Sequence, residues 1–552
     1  MNEHLNSRTK SILLVLVLSL ALAIIVLDTT LLNVSLGAII KDFDTNIQSI
    51  QWVITAYALT LTAFTILGGR LGDIFGRRKM FVLGAIIFAI GSFITSISQN
   101  IPTMIIGESI IEGLGAALMM PATLSILITS FHGRSRAMAM GMWGGVAGAA
   151  SALGPVLGGY LTTHHSWRWG FRINLVVALI LVCSSVIIKE SKDQRIKHNL
   201  DWVGIALSSL GLLSFVYGTI EASTYGWFTR TREVRLGSTL IEMPFGLSFV
   251  PYTMLLGVIL LSVFVWWEVR LEKIEGRTPL VSIKLFENKV FSSGITVMAI
   301  FALGQSGLIF ALPVFFQSVR GFTALKTGIA LIPMSLMILF IAPLGGYLSS
   351  KIRPRLLTQI GMVIQFIGLL ILRDTFSVTA KSDDFVIALL VIGLGMGFVF
   401  SQITNLTLST IKPKEAGEAA GVNSTMRQLG ATFGSAAIGS ILLTVLSSSV
   451  TSGILNSSKI PKALKPQIVL AAKQQASGIE FGGIKNLGAK IPKSVANEII
   501  NVTHQATVSG NKAAILASAI VCIFGFGVSF ILPNMKKITD SEPMHEKEKE
   551  IA

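Results

Sequence analysis

The chain has 552 residues, of which 52% are hydrophobic and 13% are charged, with a mean hydropathy of +0.70. A soluble protein of this size carries about twice that share of charged residues, so the composition excludes an ordinary soluble enzyme or binding domain. The formal net charge of +16 fits basic loops that orient membrane spans and contact anionic lipid headgroups, and it does not require a nucleic-acid partner.

Repeated apolar segments of about 20 residues predict an all-helical integral membrane protein with about fourteen spans. The first segment is too long for the apolar region of a signal peptide, so we expect an uncleaved first span. Cys183 and Cys522 both fall inside spans, which argues against a disulfide or a metal site. The predicted spans are 11–39, 48–70, 79–98, 102–129, 135–161, 171–188, 202–224, 250–269, 291–317, 324–349, 356–373, 384–410, 417–446 and 512–533.

Lysine and arginine concentrate in alternate loops, on the same side as the N-terminus. This bias predicts a multi-pass protein of the plasma membrane with both termini in the cytoplasm. The exception is the basic segment around Arg230 to Arg235 in a loop on the other side. The basic cytoplasmic loops contain Arg77 to Lys79, Arg134 with Arg136, Lys189 to Lys197, Lys351 to Arg355, and Lys412 with Lys414.

A faint internal repeat suggests two six-span halves, because the segment from Gly346 to Arg355 echoes the segment from Gly69 to Arg78. Repeated halves around a central cavity are the usual architecture of secondary transporters. The echo has Ser350 where the first copy has Asp73. The predicted division is an N-terminal half 1–188, a linker with two inserted spans 189–285, a C-terminal half 286–536 that contains a long exterior loop 447–511, and a cytoplasmic tail 537–552, with a weak hairpin signal in 229–247.

Span one carries a carboxyl group in an otherwise apolar helix. Asp28 lies in the run Leu27-Asp28-Thr29-Thr30-Leu31-Leu32-Asn33-Val34, where a charge costs several kcal/mol unless it is paired, protonated or exposed to water. The alternative is a structural acid satisfied by a neighbouring helix. The run resembles the span-one motif of the fourteen-span drug:proton antiporters, the QacA/EmrB-like branch of the major facilitator superfamily, with Gly37 where that motif often has proline. The resemblance implies a proton-coupling role for Asp28.

A short basic loop joins spans two and three, with the sequence Gly69-Arg70-Leu71-Gly72-Asp73-Ile74-Phe75-Gly76-Arg77-Arg78-Lys79. Any polytopic protein has basic turns, but this order of glycines, acid and arginines is much rarer. It resembles the loop between spans two and three of the major facilitator superfamily. The resemblance implies a conformational motif that locks one state of the rocking halves and releases it in the other. Its residues are Gly69, Asp73, Gly76, Arg77 and Arg78.

Span four contains two further acids, Glu108 and Glu112, in the run Gly107 to Ala117. The family pattern has an arginine at Ser109 and a glutamine at Glu112, so this chain departs from any mechanism that needs that arginine. Residues four apart share a helix face at about 6 Å. Two acids so placed cannot both ionise cheaply, and at least one should hold a proton near neutral pH. In the alternative, Glu108 is solvated at the outer interface and Glu112 is structural.

Span five carries small residues and a proline in a pattern that resembles the antiporter motif of the exporting branches of the superfamily. Ala150 stands where the family usually has glycine. Close packing alone would explain the small residues, but Pro155 also removes a backbone hydrogen bond and should bend the helix. The resemblance implies a tightly packed helix that limits leak. The motif residues are Gly141, Gly154, Pro155, Gly158 and Gly159.

Shorter matches extend the resemblance over nearly the whole chain except the termini and the exterior loop. They include Trp167 to Asn174 before span six and Ala416 to Gly430 at the start of span thirteen. Methionine and aromatic residues at helical spacing are usually core, but some could line a substrate cavity. The cavity candidates are Asn33, Tyr57, Met120 and Trp143.

The resemblance implies a proton-coupled exporter that works by alternating access. Protons from outside would bind Asp28, Glu112 and Glu108, in competition with an amphipathic compound, cationic or lipophilic, that binds from the inner side. We find no phosphate-binding loop and no nucleophile–base pair, so we expect neither ATP-driven transport nor an enzyme, and no cofactor or metal. The expected partners are the small-molecule substrate, protons and membrane lipids, and a monomer is sufficient.

Two other functions stay open. A dedicated exporter of one endogenous metabolite or lipid would have the same sequence features as a multidrug exporter. A receptor without flux, or a membrane enzyme, is less compatible, because a receptor does not need coupling acids and an enzyme needs a polar catalytic cluster.

Overall fold

The computed structural model describes residues 2–45, 47–192, 200–230, 234–236, 239–241, 243–274, 277–474 and 492–534. Within these residues, fourteen helices are long and apolar enough to cross a membrane, which confirms the predicted number of spans. The chain is therefore an all-helical, multi-pass membrane protein, apart from one short hairpin.

The spans are numbered one to fourteen in chain order. Spans one to six are α1 (Asn2–Asp42), α2 (Ile47–Phe75), α3 (Arg77–Ile97), a composite of α4 (Ile101–Met104), a π-helical segment (Ile105–Glu112) and α5 (Gly113–Ser130), then α6 (Gly133–His164) and α7 (Arg168–Ser184). Spans seven and eight are α8 (Trp202–Tyr225) and α9 (Val250–Glu272), and the short α10 (Lys284–Glu287) follows. Spans nine to thirteen are α11 (Lys289–Ser318), α12 (Ala324–Leu348), α13 (Pro354–Thr375), α14 (Val386–Leu408) and α15 (Ala416–Asn456). The extramembrane α16 (Lys465–Gln474) precedes span fourteen, which is α17 (Lys493–Val528).

Short 3₁₀ turns complete the helical structure at the ends of several spans. They are Ser185–Ile187, Pro244–Gly246, Ser382–Phe385, Pro413–Glu415 and Ser529–Ile531.

The first six and the last six spans meet mainly along two helix pairs, spans two with thirteen and spans five with ten, with smaller contacts of spans four with thirteen and five with twelve. Glycines allow close contact at both pairs: Gly69 packs against the backbone of Gly417, and Gly346 packs against the backbone of Ala137. A Cβ atom on either glycine would collide with the facing carbonyl oxygen. The two copies of the internal repeat therefore occupy equivalent places at the two contacts.

The inserted spans seven and eight pack against each other, and span seven also packs against both sets of six spans. Span seven stacks Tyr217 on Trp52 of span two, with ring centroids 5.8 Å apart. The Nε1 of Trp227, which follows span seven, donates to Ser440 Oγ of span thirteen at 3.1 Å. The insert thus contacts spans two and thirteen, one from each side of the contact between the halves.

A two-stranded antiparallel hairpin lies between spans seven and eight. Strand β1 (Val234–Leu236) pairs with β2 (Thr239–Ile241), with Val234 opposite Ile241. The weak hairpin signal in 229–247 is therefore confirmed.

The predicted exterior loop 447–511 is largely helical where it is described, because spans thirteen and fourteen extend beyond their predicted ends. Leu446, Val450 and Ile454 are buried at intervals of four residues and belong to the same apolar cluster as Val495 and Ile499. A helical face of this kind needs only one apolar residue per turn, so its serine-rich remainder resembles a loop in sequence. Residues 475–491 lie outside the described residues.

Candidate functional site

Three carboxyl groups meet within the first six spans. Asp28 comes from span one, and Glu108 and Glu112 come from the π-helical segment of span four. One oxygen of each group lies within 4.8 Å of an oxygen of the other two. Asp28 is 1% exposed and both glutamates are 0% exposed. These residues are called the carboxyl cluster below.

Two polar side chains from other spans connect the cluster. Asn174 Nδ2, on span six, lies 2.8 Å from Asp28 Oδ1 and 3.1 Å from Glu112 Oε1. Ser92 Oγ, on span three, donates to Glu112 Oε1 at 2.6 Å and lies 3.1 Å from Asn174 Nδ2. The carboxamide has two hydrogens and three acceptors within reach, so it cannot donate to all three at once.

Close packing of spans three and four brings Glu112 to Ser92. Gly91 faces the backbone of Gly107 and Glu112, where a side chain would collide with the backbone. The segment Ile105–Glu112 is π-helical, and the N–H of Gly113 donates to the carbonyl oxygen of Glu108, five residues back. Single π-helical turns occur often at functional sites.

The cluster contains more acid than the surrounding groups can compensate. Among the described residues, no cation forms an ion pair with its members, and Asp28 Oδ2, both oxygens of Glu108 and Glu112 Oε2 have no hydrogen-bond partner. Three ionised carboxylates at this spacing in an apolar region would be very costly. Protons on the carboxyl groups would remove the charge and supply the missing donors. The oxygen-only set could also ligate a hard cation.

The structure bears on two of the sequence-based expectations for span four. The alternative in which Glu108 is solvated at the outer interface is wrong, because the close contact of spans three and four buries it completely. At the position of the family arginine, Ser109 Oγ donates to the carbonyl oxygen of Val53 in span two at 2.7 Å. This serine ties two helices together and supplies no charge to the cluster.

Asn174 and Ser92 are functional candidates that the sequence reasoning missed. Asn174 appeared only as part of a loop motif before span six, and Ser92 is one of many serines in spans. The available signal was a carboxamide six residues inside an apolar helix, where a polar group needs a partner.

The basic loop forms a second site, at the contact between spans two and thirteen. Arg77 Nε and Nη2 donate to Asp73 Oδ1 at 3.1 and 2.7 Å, and Arg77 Nη2 also donates to the carbonyl oxygen of Pro413 at 2.6 Å. The N–H groups of Gly417 and Glu418 donate to Asp73 Oδ1 and Oδ2 at 3.0 and 2.8 Å. Asp73 therefore caps the N-terminus of span thirteen, where a negative charge is favourable. These residues are called the interlock.

Neighbouring charges extend the interlock. Arg70 Nη1 lies 3.5 Å from Glu418 Oε2, and the N–H of Ser282, in the linker after span eight, donates to Glu418 Oε1 at 2.5 Å. Arg136 of span five donates to the carbonyl oxygen of Leu408 at 2.5 Å. The loop between spans two and three and the start of span five thus contact the segment that joins spans twelve and thirteen. The linker after span eight contacts the same segment.

The remaining loop residues shape the turn. Gly76 has φ of +115°, a conformation that strongly favours glycine. The N–H groups of Arg78 and Lys79 donate to the carboxylate of Glu190 at 3.1 and 3.2 Å. Among the contacts of the described residues, Arg78 contributes this backbone group, while Arg77 contributes its side chain.

The span-five motif packs against both sets of spans. Gly154 and Gly158 face Thr30 and Leu31 of span one, just after Asp28. Gly141 faces the backbone of Ala342 in span ten. On the other set, Pro155 packs against Gly328 and Gly159 packs against Leu325, while the helix Gly133–His164 continues through Pro155.

The four cavity candidates lie in different surroundings. Tyr57 is buried and its hydroxyl has no hydrogen-bond partner among the described residues, and its backbone approaches Gly113 next to the carboxyl cluster. Trp143 Nε1 donates to Thr123 Oγ1 at 3.2 Å. Met120 is buried at the contact with span thirteen, whereas Asn33 is exposed and donates to the carbonyl oxygen of Thr29. The structure does not bring these four together as one site.

Sequence comparison gives a consistent result. Residues 18–435 match the profile of the Major Facilitator Superfamily. The Probable actinorhodin transporter of Streptomyces coelicolor is 30% identical over 78% of this chain and 72% of its own length. The Tetracenomycin C resistance and export protein of Streptomyces glaucescens is 26% identical, over 93% and 90%. The Multidrug resistance protein Stp of Mycobacterium tuberculosis is 28% identical, over 78% and 76%.

Solved structures with the same fold include two transporters. The human organic anion transporter MFSD10 aligns with a TM-score of 0.57 at 12% identity, over 94% of this chain and 99% of its own. The proton:xylose symporter XylE aligns with a TM-score of 0.57 at 13% identity, over 96% and 98%. At this level of identity the alignments support the fold alone.

Proposed function

Because the chain belongs to the major facilitator superfamily, we propose that it is a proton-coupled exporter of amphipathic compounds, cationic or lipophilic, that works by alternating access. The family and the relatives make it a membrane transporter and not an enzyme. The proposal that transport is proton-coupled export rests on the geometry of the carboxyl cluster.

The observation that carries the proposal is the burial of three carboxyl groups within 4.8 Å of one another without an ion pair among the described residues. Such a group of acids is stable in an apolar region only with bound protons or another cation. Ser92 and Asn174 can donate to the ionised form of Asp28 or Glu112, so loss of a proton is compensated within the cluster. A site that is stable with and without its proton is what a proton carrier needs.

Coupling follows if proton and substrate compete for the cluster. Protons enter from the exterior and bind Asp28, Glu112 and Glu108, and a substrate that arrives from the inner side favours the ionised form and displaces them. Each ligand then shifts the conformational equilibrium only through its different affinity for the two states. The tight packing of span five against Thr30 and Leu31, next to Asp28, supports a role in limiting leak.

The interlock is the proposed conformational element. Its basic loop lies on the side that the charge distribution assigns to the cytoplasm, so in this proposal the intact interlock belongs to a state closed on the inner side. Opening inward breaks the bonds from Asp73 to Gly417 and Glu418. Hydrogen bonds to a charged group contribute about 1.5–3 kcal/mol each, so these bonds have a large share in the balance between the states.

The relatives support a range of substrates. Their names refer to two individual compounds, actinorhodin and tetracenomycin C, and to multidrug resistance. A multidrug exporter and a dedicated exporter of one metabolite or lipid are both compatible with these names. A panel of unrelated dyes distinguishes them, because a dedicated exporter would ignore most of the panel.

We place the protein in the plasma membrane with both termini in the cytoplasm, on the strength of the loop charges. Its partners are the substrate, protons and lipids. Each set of six spans contributes to both the 5–10 and the 2–13 helix contacts, so one copy of the chain is sufficient to enclose a transport path.

The test is flux in proteoliposomes, with the full-length protein and ethidium as the probe. We expect inside-out molecules to accumulate ethidium when the lumen is made acidic, and a sodium gradient without a pH gradient to have no effect. Asp28→Asn should reduce accumulation to the level without a gradient. The matched control is Asp374→Asn, because that aspartate is 75% exposed outside the cluster, and it should retain at least about half of the wild-type rate. Flux driven equally well by sodium, or full proton-driven flux with Asp28→Asn, would contradict the proposal.

A further inference from the structure

A second intramembrane charge lies away from the carboxyl cluster. Arg427 belongs to span thirteen, whose helix begins at Ala416, so it lies about 16 Å along the helix axis from that end. The apolar core of a bilayer is about 30 Å thick. Arg427 is therefore close to the middle of the membrane and far from either headgroup region.

Its surroundings in the protein do not neutralise it. Arg427 Nη2 lies 3.3 Å from Met120 Sδ, on span four of the other set of helices, and a thioether is a weak acceptor. Among the described residues, no carboxylate forms an ion pair with Arg427, although seven other pairs are formed elsewhere. An arginine presents five N–H donors and stays protonated. Among the described residues, most of these N–H groups have no acceptor.

The side chain is partly exposed although it lies inside a span. Its contact with Met120 places it between the two sets of helices. An intramembrane charge normally has a partner or lines a water-filled path. Arg427 has no ion-pair partner among the described residues, so its partial exposure and its place between the two sets of helices favour the second of these positions, beside the path of a transported compound.

We propose that Arg427 binds an acidic group of the exported compound, a carboxylate or a phenolate. The planar guanidinium can form two parallel hydrogen bonds with such a group, and it is weakly hydrated compared with an ammonium. This assignment rests on the proposed export function and narrows its substrate class.

The position of the carboxyl cluster completes the description of the substrate. Met120 and Glu112 lie on the same span eight residues apart, which corresponds to about 12 Å along a helix. A basic group near Glu112 and an acidic group at Arg427 would occupy opposite ends of one elongated site. The favoured substrates are lipophilic cations that also carry an acidic group, and compounds without that group bind more weakly.

A matched pair of dyes tests this assignment. Rhodamine B is a lipophilic cation with a free carboxylate, and its ethyl ester keeps the cation without the acid. We expect the purified wild type to bind rhodamine B at least about ten times more tightly than the ester, measured by fluorescence polarisation. Arg427→Gln should abolish this preference by weakening rhodamine B binding, while ester binding changes less than about two-fold. Arg427→Lys should keep part of the preference, because it retains the charge without the planar fork.

Asp374→Asn is the control for a general effect of substitution, since that aspartate is 75% exposed near the end of span eleven. It should leave the preference for rhodamine B intact. Equal weakening of both dyes by Arg427→Gln would overturn the proposal and assign Arg427 to packing. A wild type without preference for the acid, whether it binds both dyes or neither, would also overturn it. Proton-driven flux of the ester or of ethidium by Arg427→Gln would show that the export function holds even if this assignment fails.

Discussion

Asn174 is the residue that joins the acids of the carboxyl cluster into one hydrogen-bonded unit. Its carboxamide reaches both Asp28 and Glu112, so it can donate to whichever of them is ionised. Because a neutral donor does not itself titrate, it stabilises the charged form without competing for the proton. In the proposed mechanism the asparagine is therefore a positioning residue for proton coupling, and the acids are the groups that carry the proton.

We predict that Asn174→Leu impairs coupling more than binding. Loss of a hydrogen bond to a buried carboxylate costs about 1.5–3 kcal/mol, which corresponds to at least a ten-fold change in an equilibrium constant. Proton-driven ethidium flux at neutral pH should fall by about that factor. The pH–rate profile should move to higher pH, because the ionised form has lost its donor. Asn174→Gln, which keeps a carboxamide, should recover part of the flux, and equal flux in all three proteins would refute the role.

At the scale of single residues, the sequence alone identified the acids of the site, but it did not identify their hydrogen-bond partners. An acid inside a span is recognisable because its desolvation cost is large, and the acids on spans one and four were found in this way. Asn174 and Ser92 carry no charge, and their significance depends on which helices are neighbours. That information comes only from the packing of spans three, four and six around Gly91 and Gly107.

At the scale of elements, the interlock depends on the start of span thirteen. The first N–H groups of a helix have no partner within the helix, and here two of them bind Asp73 of the other set of spans. Gly69 lets the two backbones come close enough for this contact. The sequence predicted the conformational role from the loop alone, but it could not show that Gly417 and Glu418 are the groups that the loop binds.

We predict that Asp73→Asn slows turnover by about ten-fold or more, with little change in substrate affinity, because it weakens two charge-assisted hydrogen bonds far from any mid-membrane site. The measurement is single-turnover flux beside equilibrium binding of ethidium. Glu190→Gln is the matched control, since Glu190 accepts from the N–H groups of Arg78 and Lys79 on the same loop without contacting span thirteen. A large loss of binding with turnover unchanged would place Asp73 in the substrate site instead.

At the scale of the whole molecule, the fourteen spans and the hairpin followed from hydropathy and turn signals, because both are local properties of the chain. The helical extensions of spans thirteen and fourteen into the predicted exterior loop did not follow from such local signals. They are stabilised by packing between residues about fifty positions apart, such as Val450 and Ile499 in one apolar cluster and Gly453 against Val502, and neither helix is apolar enough there to be recognised alone. The packing of the inserted spans against spans two and thirteen likewise depends on contacts between residues far apart in the chain, which the sequence does not show.

The whole account requires that binding of substrate and binding of protons exclude each other at one cluster. The most direct measurement is proton release on addition of ethidium to the purified protein in weak buffer, between about pH 5 and 8, a range that includes neutral pH. We expect the wild type to release protons on binding, Glu112→Gln to release fewer, and the double variant Asp28→Asn with Glu112→Gln to release almost none while it still binds the dye. Release by the double variant equal to that of the wild type across this range would show that the carboxyl cluster is structural and that coupling lies elsewhere.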